Sequence, residues 1–151
     1  MSESYENSIF YIIHSCAKCF DKLFVDLLKQ ADAGLSSIEM LALGVVAEKK
    51  GCSQRDLARI ILKDRANTGK IALSLEKKGM IKISLKTKNN RPSKILSATN
   101  KGLKLCTKVR EIASPFQKKI INEISYTQIN KAKETLKILK NTVENTVKFD
   151  I

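Results

Sequence analysis

The chain has 151 residues, of which 28 are Lys or Arg and 15 are Asp or Glu, so its formal net charge is +13. That length suits one domain, or one domain with long helical extensions, and is enough to bury a hydrophobic core. Four dispersed cysteines are too few for a disulfide scaffold, and no apolar run approaches the roughly 18–20 residues of a membrane span.

The first residues, MSESYENSIF, are acidic and contain neither a basic leader region nor a small-residue cleavage site. We therefore expect a cytoplasmic protein with reduced thiols and no membrane partner. A long amphipathic helix is predicted for about residues 5–30, where apolar side chains recur at steps of three and four. Phe10 and Ile12 widen its apolar face beyond one core contact, which indicates burial against a second chain.

A second helix is predicted to begin at Ser36-Ser37-Ile38-Glu39 and to end near Gly51. These four residues form a capping box, because the Ser36 hydroxyl can accept from the Glu39 N–H while Glu39 reaches back. The stripe that follows is almost wholly apolar. It is typical of a helix that packs beneath the segment after it.

Two short helical patterns and an alternating segment occupy residues 53–99. Ser53 and Asp64 stand at N-cap positions, and Gly79 stands where the second of these helices needs a left-handed residue. Residues 80–85 then alternate with period two, residues 94–98 can return as a partner strand, and residues 86–93 form a polar tip. Helix, turn, helix and hairpin is the pattern of a winged helix-turn-helix, a DNA-binding device.

The positive charge is concentrated in this same segment. Residues 51–100 carry 12 basic and 3 acidic side chains, whereas residues 1–50 have a net charge of −2 and residues 101–151 of +6. Double-stranded DNA is the natural partner of such a basic surface, through phosphate contacts and counterion release. A lysine-rich surface kept for solubility is the plainer alternative.

Two further helices are predicted after residue 99. Thr99 or Asn100 can cap the first, which should bend or restart near Pro115 because proline lacks an N–H group. A second capping box, residues 125–128, begins the last helix. The chain then divides into an N-terminal dimerisation helix (1–34), a winged helix-turn-helix (35–100) and C-terminal dimerisation helices (101–151), a mainly α fold with a small β-hairpin.

Ten residues are candidates for contact with DNA. The first turns of the second short helix would enter the major groove, where Asn can bond adenine and Arg or Lys can bond guanine. The start of the preceding helix suits phosphate oxygens, and the tip of the wing suits the backbone or minor groove. Phosphate-only contacts, an N-capping role for Asn67, plain capping at Ser53 and a solvated wing are the alternatives. The candidates are Ser53, Gln54, Arg55, Arg65, Asn67, Thr68, Lys70, Lys86, Lys88 and Arg91.

Cys16 and Cys19 have the spacing of redox or metal motifs, but they lie inside a predicted helix rather than at a helix start. Buried core cysteines and a thiol switch are both consistent with this placement. His14 is the sole histidine, so we expect no metal site and no cofactor. Cys52 and Cys106 look like ordinary small apolar residues. No catalytic set of side chains is recognisable, so we do not expect an enzyme.

Five blocks of the sequence, in this order and spacing, resemble the MarR family of transcriptional regulators. The resemblance implies a homodimer with interlocked terminal helices and two winged helices on a pseudo-palindromic operator. It also implies tuning by small ligands or oxidants, with a pocket between the dimerisation helices and the DNA-binding lobe. The blocks are residues 35–39, 52–58, 63–65, 75–81 and 98–102.

The wing departs from the family pattern. MarR-family wings usually carry Asp-x-Arg, in which both residues hold the wing and contact the minor groove. Here Asn90, Arg91 and Pro92 stand at those positions, so the acid is missing and the arginine is displaced or absent from its usual role.

We therefore predict a sequence-specific DNA-binding transcriptional regulator that acts as a homodimeric repressor, with double-stranded DNA and a small-molecule effector as its partners. Two alternatives stay open. One is a thiol-redox-sensing regulator that uses Cys16 and Cys19. The other is a winged-helix adaptor that binds proteins and not DNA.

Overall fold

The computed structural model describes residues 4–49, 51–88 and 91–147, and only the backbone of Lys88 and Arg91. It confirms a mainly α winged helix-turn-helix with long terminal helices. Within the described residues, no helix is long and apolar enough to cross a membrane. After a short 3₁₀ helix, Tyr5–Asn7, the elements are α1 (Ile9–Gln30), α2 (Ser37–Glu48), β1 (Cys52–Ser53), α3 (Gln54–Ile61), α4 (Arg65–Lys77), β2 (Ile81–Lys88), β3 (Arg91–Ala98), α5 (Asn100–Glu123) and α6 (Tyr126–Thr146).

The helices begin where the sequence places their caps. Ser36 caps α2 and forms the predicted box with Glu39, whose carboxylate accepts from the Ser36 N–H at 2.7 Å. Thr99 caps α5 by accepting from the Gly102 N–H at 3.1 Å, which resolves the choice between Thr99 and Asn100. Each cap satisfies an N–H group that the first turn leaves free. Side chains at these junctions therefore fix the start of each helix.

Gly79 ends the segment of α4 as predicted. It follows α4 with a φ of +73°, a backbone conformation that costs glycine little. Its N–H donates to the Glu76 carbonyl at 2.8 Å, and the Met80 N–H donates to the Leu75 carbonyl at 2.9 Å. This pair of bonds is the Schellman arrangement, and it turns the chain directly into β2.

The wing is longer than predicted and belongs to a three-stranded sheet. The strand order is β1-β3-β2, all antiparallel, with Cys52 opposite Leu96 and Ile81 opposite Ala98. The prediction of a polar loop over residues 86–93 is wrong, because β2 and β3 stay paired out to Lys88 and Arg91. Asn89 and Asn90 lie outside the described residues.

A single apolar core lies beneath the helix-turn-helix. It is built from the end of α1, from α2, α3, α4 and the sheet, and from the first half of α5, and most of its side chains are aliphatic. Removing this apolar surface from water is the main stabilising contribution to the fold. The largest fully buried aliphatic residues are Leu43, Leu57, Leu75, Ile81, Leu96 and Val46.

Helix α5 docks onto the end of α4 through a close backbone approach. A Cβ atom at Gly102 would overlap the Met80 carbonyl oxygen and would come within 3.0 Å of Leu43 Cδ1. The Thr99 hydroxyl donates to the Gly79 carbonyl at 2.7 Å at the same junction. The missing side chain at Gly102 thus lets α5 pack closely against the winged helix.

The terminal helices leave much apolar surface uncovered in one chain. A bend or a restart was expected at Pro115, and α5 runs through that residue as one helix, without a restart. No residue of α6, all of which the structure describes, is buried. Phe10 in α1 is 79% exposed and Ile138 in α6 is 66% exposed. Large apolar side chains exposed along whole helices are typical of a surface that another chain covers.

Candidate nucleic-acid interface

The first two turns of α4 project a basic surface away from the core. Arg65, Asn67 and Lys70 are exposed there, while Ala72 and Leu75 on the opposite face are buried. The 13-residue helix is therefore anchored by one face and presents the other to a ligand. This is the arrangement that a major-groove helix requires.

Asn67 takes part in the capping of its own helix. Its backbone N–H donates to Asp64 Oδ1 at 2.8 Å, and its side-chain amide donates to Asp64 Oδ2 at 2.5 Å. Both bonds lower the pKa of the Asp64 carboxyl, and the bond from the Asn67 backbone has the larger effect. A bidentate contact of Asn67 with adenine would require its amide to turn away from Asp64.

The DNA contact predicted for Thr68 is wrong for this conformation. Thr68 is fully buried, and its hydroxyl donates to the Asp64 carbonyl at 2.8 Å. A side chain that is closed off by its own helix and the core cannot meet a thymine methyl group. Thr68 instead helps to hold the start of α4.

The start of α3 lies against the start of α4. Ser53 is an N-cap that accepts from the Asp56 N–H at 3.0 Å, and Gln54 donates through Nε2 to the Arg65 carbonyl at 3.4 Å. Gly69 faces the same amide, because a Cβ atom there would lie 3.2 Å from Gln54 Nε2. Arg55 is exposed beside them. Gln54 thus links the two helix starts, and Arg55 is free to extend towards a phosphate.

The wing carries its predicted lysine at an accessible position. Lys86 is exposed on β2, whereas the side chains of Lys88 and Arg91 lie outside what the structure describes. The base of the wing is tied to α4, since the Ile83 N–H donates to Glu76 Oε1 at 2.8 Å. A bond from α4 therefore helps to set the position of the wing.

The cysteines fall into two environments. Cys16 and Cys19 are both exposed on α1, so the interpretation of them as buried core cysteines does not hold within one chain. Cys52 is buried and Cys106 is half-buried, and burial raises the pKa of both thiols. A raised pKa keeps a thiol protonated and unreactive, which agrees with a packing role for Cys52 and Cys106.

Glu39 links α2 to the last turn of α4. Its side chain is nearly buried, with 7% of the residue exposed. The carboxylate accepts from the Ser74 hydroxyl at 2.6 Å and from Lys78 Nζ at 2.9 Å. Burial alone would raise its pKa, but the bonds from Ser74, Lys78 and Ser36 outweigh burial and lower the pKa from 4.5 to about 2. Glu39 therefore stays ionised inside the fold.

Changing Glu39 to Gln should remove the stabilisation that the ionised carboxylate contributes to the fold. It should leave the capping box intact, because Gln128 fills the same place in the box that begins α6. A carboxyl whose pKa falls on folding stabilises the protein above pH 4.5, and the effect is lost between pH 4.5 and 2. We expect Glu39→Gln to lower the unfolding free energy by about 3 kcal/mol at pH 7 and to flatten its decline below pH 4.5.

Urea denaturation at fixed protein concentration, at pH 7 and at pH 3, measures this effect. Glu144→Gln is the matched control, because its ion pair with Lys140 is solvent-exposed, with an N–O distance of 3.3 Å. That change should cost less than about 1 kcal/mol. Equal losses in the two variants would contradict the role given to Glu39.

A cavity of about 940 Å³ lies between the terminal helices and the winged helix. Helices α1, α2 and α5 form its walls, and most of the lining is apolar, including Phe24, Leu41 and Phe116. Lys63, from the link between α3 and α4, and Arg110 add positive charge to the lining, and Asp21 adds one negative charge. An apolar space with a few polar groups is the usual form of a small-molecule site.

No protein-family model matches this sequence, and no curated protein matches it either. Solved structures do match its fold. A MarR-family transcriptional regulator from Rhodococcus sp. RHA1 superposes with a TM-score of 0.78 at 19% identity, over 91% of this chain and 96% of that one. The fold is that of MarR-family regulators.

Two further structures share the MarR fold of this chain. CouR from Rhodococcus jostii RHA1, solved with p-coumaroyl-CoA bound, gives a TM-score of 0.78 at 19% identity, over 91% of this chain and 95% of its own. MepR of S. aureus, solved in complex with DNA, gives 0.76 at 18% identity, over 93% and 99%. The shared architecture thus extends over the terminal helices as well as the winged helix.

Within this MarR fold, sequence reasoning missed the bonds of Ser74 and Lys78 to Glu39. Glu39 was identified as part of a capping box, which is a local pattern. Ser74 and Lys78 lie 35 and 39 residues further along the chain. No periodicity or motif connects residues so distant, and the fold alone brings them together.

Proposed function

We propose that the chain is a cytoplasmic, sequence-specific transcriptional regulator that acts as a homodimeric repressor on a pseudo-palindromic operator. The observation that carries this proposal is the exposed basic face of α4, with Arg65 and Lys70 in its first two turns. The MarR fold and the DNA complex of MepR support it. Residues 35–100 would form the DNA-binding domain, with Arg55 and Lys86 extending the basic surface on either side of α4.

The uncovered apolar faces support the homodimer. Residues 1–34 and 101–151 would be the dimerisation segments, and α6 in particular has no buried residue to explain its apolar side chains in one chain. Two copies joined by a two-fold axis would present two α4 helices to successive major grooves. A pseudo-palindromic operator is the DNA symmetry that such a dimer requires.

The cavity between α1, α2 and α5 supports regulation by a small ligand. Its volume of about 940 Å³ and its mainly apolar lining would accept an aromatic or aliphatic body. Lys63 and Arg110 outnumber Asp21 in the lining, and the net positive charge would favour an anionic group on that body. The capture of p-coumaroyl-CoA by CouR agrees with an effector of this general kind.

Thiol regulation is the second candidate, and the exposure of Cys16 and Cys19 favours it. The two thiols are three residues apart on α1, so they share one face of a helix assigned to dimerisation. Oxidation of either thiol would place a polar or bulkier group on that face. The dimer, and with it DNA binding, would then depend on the redox state.

A mobility-shift titration on DNA upstream of the chain's own gene tests these proposals, with protein reduced by dithiothreitol or oxidised by hydrogen peroxide. Binding should be specific and should weaken steeply with salt, with a log–log slope of about −0.9 for each phosphate neutralised. Binding lost only on oxidation would establish the thiol switch. Absence of specific binding to any genomic fragment would contradict the regulator and favour a winged-helix adaptor.

A further inference from the structure

Helix α2 has two faces with different neighbours. Ile38, Leu41 and Gly44 line the cavity, at spacings of three residues that place them along one side of the helix. Glu39 and Leu43 lie on the other side, where Leu43 is fully buried in the core. Helix α2 therefore separates the cavity from the side chains that hold α4, the proposed recognition helix.

The Glu39 carboxylate joins α2 to α4 through both of its oxygen atoms. Oε1 accepts from the Ser74 hydroxyl and from Lys78 Nζ, while Oε2 accepts from Lys78 Nζ and from the Ser36 N–H. Lys78 also donates to the Gly34 carbonyl at 3.0 Å, in the loop before α2. The end of α4 is thus bonded to the start of α2 and to the loop that precedes it.

We infer that Glu39 is a positioning residue that transmits occupancy of the cavity to the recognition helix. This inference rests on the proposed effector site. A ligand that moves the cavity face of α2 moves Glu39 with it, because a helix and a close-packed core deform little. Ser74 and Lys78 follow Glu39, and α4 then tilts as a rigid helix, which displaces Arg65 and Lys70 at its other end. The resulting coupling between cavity and operator is reciprocal, as linkage requires.

A larger side chain at position 44 can fill the cavity, so the test does not require the natural ligand. A Cβ atom at Gly44 would have no heavy atom within 4 Å, so a side chain can enter the cavity from α2 without a clash near the backbone. Gly44→Phe is the filled-cavity variant. Two measurements report the effect of this substitution: hydrogen exchange of the α4 amides, and affinity for the operator.

The uncoupled variant combines Glu39→Gln, Ser74→Ala and Lys78→Met. It removes the ion pair and the serine bond together, keeps the capping box and leaves no buried charge without a partner. Glu39→Gln alone is the milder substitute if the triple variant does not fold by circular dichroism. The matched control is Lys140→Met with Glu144→Gln, which removes the exposed ion pair of α6.

In the parent and control backgrounds, Gly44→Phe should change α4 amide exchange and operator affinity at least tenfold. In the uncoupled background the same change should have less than a threefold effect, and with Glu39→Gln alone the effect should fall at least threefold. An equal effect in all backgrounds, or no effect in the parent, would overturn the coupling role. The parent and all variants could fail to bind DNA while hydrogen exchange of the α4 amides still shows the expected differences between backgrounds. In that case the regulator proposal fails and the coupling stands.

Discussion

Replacing Arg65 and Lys70 together with alanine is expected to weaken operator binding about 100-fold while leaving the fold and the dimer intact. Both side chains are exposed in the first two turns of α4, and in the described part of the chain neither takes part in an ion pair. A good contact to a base is worth about 1–3 kcal/mol, so two lost contacts per protomer amount to about 2–6 kcal/mol. A loss of about 2.7 kcal/mol, in the lower part of that range, corresponds to a factor of about 100 in affinity.

Fluorescence anisotropy with an operator fragment at a series of salt concentrations measures this loss. Lys133→Ala with Lys137→Ala is the matched control, because it removes the same charge from two exposed positions of α6. The control should change affinity only slightly, through the general field of the protein. If the Arg65 and Lys70 variant binds as tightly as the parent, α4 is not the reading helix.

Local features of this fold could be predicted because they depend on residues close in sequence. The capping box of Ser36 and the glycine turn at Gly79 each involve groups within five residues, and both are present as expected. The basic surface was equally predictable, since the charge of residues 51–100 is a property of composition. The helix-turn-helix follows from such local patterns.

Features that depend on distant residues could not be predicted in the same way. Strand β1 has two residues and is defined by pairing with Leu96 and Ile95, far along the chain. Thr68 reads as a polar residue on a polar helix turn, yet the core and the Asp64 carbonyl enclose it. The bonds between Glu39 and α4 are of the same kind. Side-chain environment at the candidate site is set by tertiary packing, which no local pattern encodes.

Replacing Phe10 and Ile138 together with lysine is expected to dissociate the proposed homodimer. Both side chains are more than half exposed in one chain, on the two helices assigned to dimerisation. Burying one such side chain contributes about 1.5–3 kcal/mol, and a lysine in its place would in addition lose its hydration. Because a two-fold interface contains each residue twice, four such side chains are lost, and the dimer should weaken by at least about 6 kcal/mol, or more than roughly 10,000-fold.

Sedimentation equilibrium over a micromolar concentration range distinguishes dimer from monomer directly. Leu85→Lys is the matched control, since Leu85 is 73% exposed on β2, away from the terminal helices, and its change should leave the dimer intact.

The Phe10 and Ile138 variant should also lose operator binding, because a monomer engages one half-site with one basic face. A variant that sediments as a dimer would exclude these faces as the interface, and a monomeric parent would contradict the homodimer itself. We expect dimerisation and DNA binding to be linked, because the proposed dimerisation segment begins just after Thr99, whose hydroxyl is bonded to the Gly79 carbonyl at the end of α4.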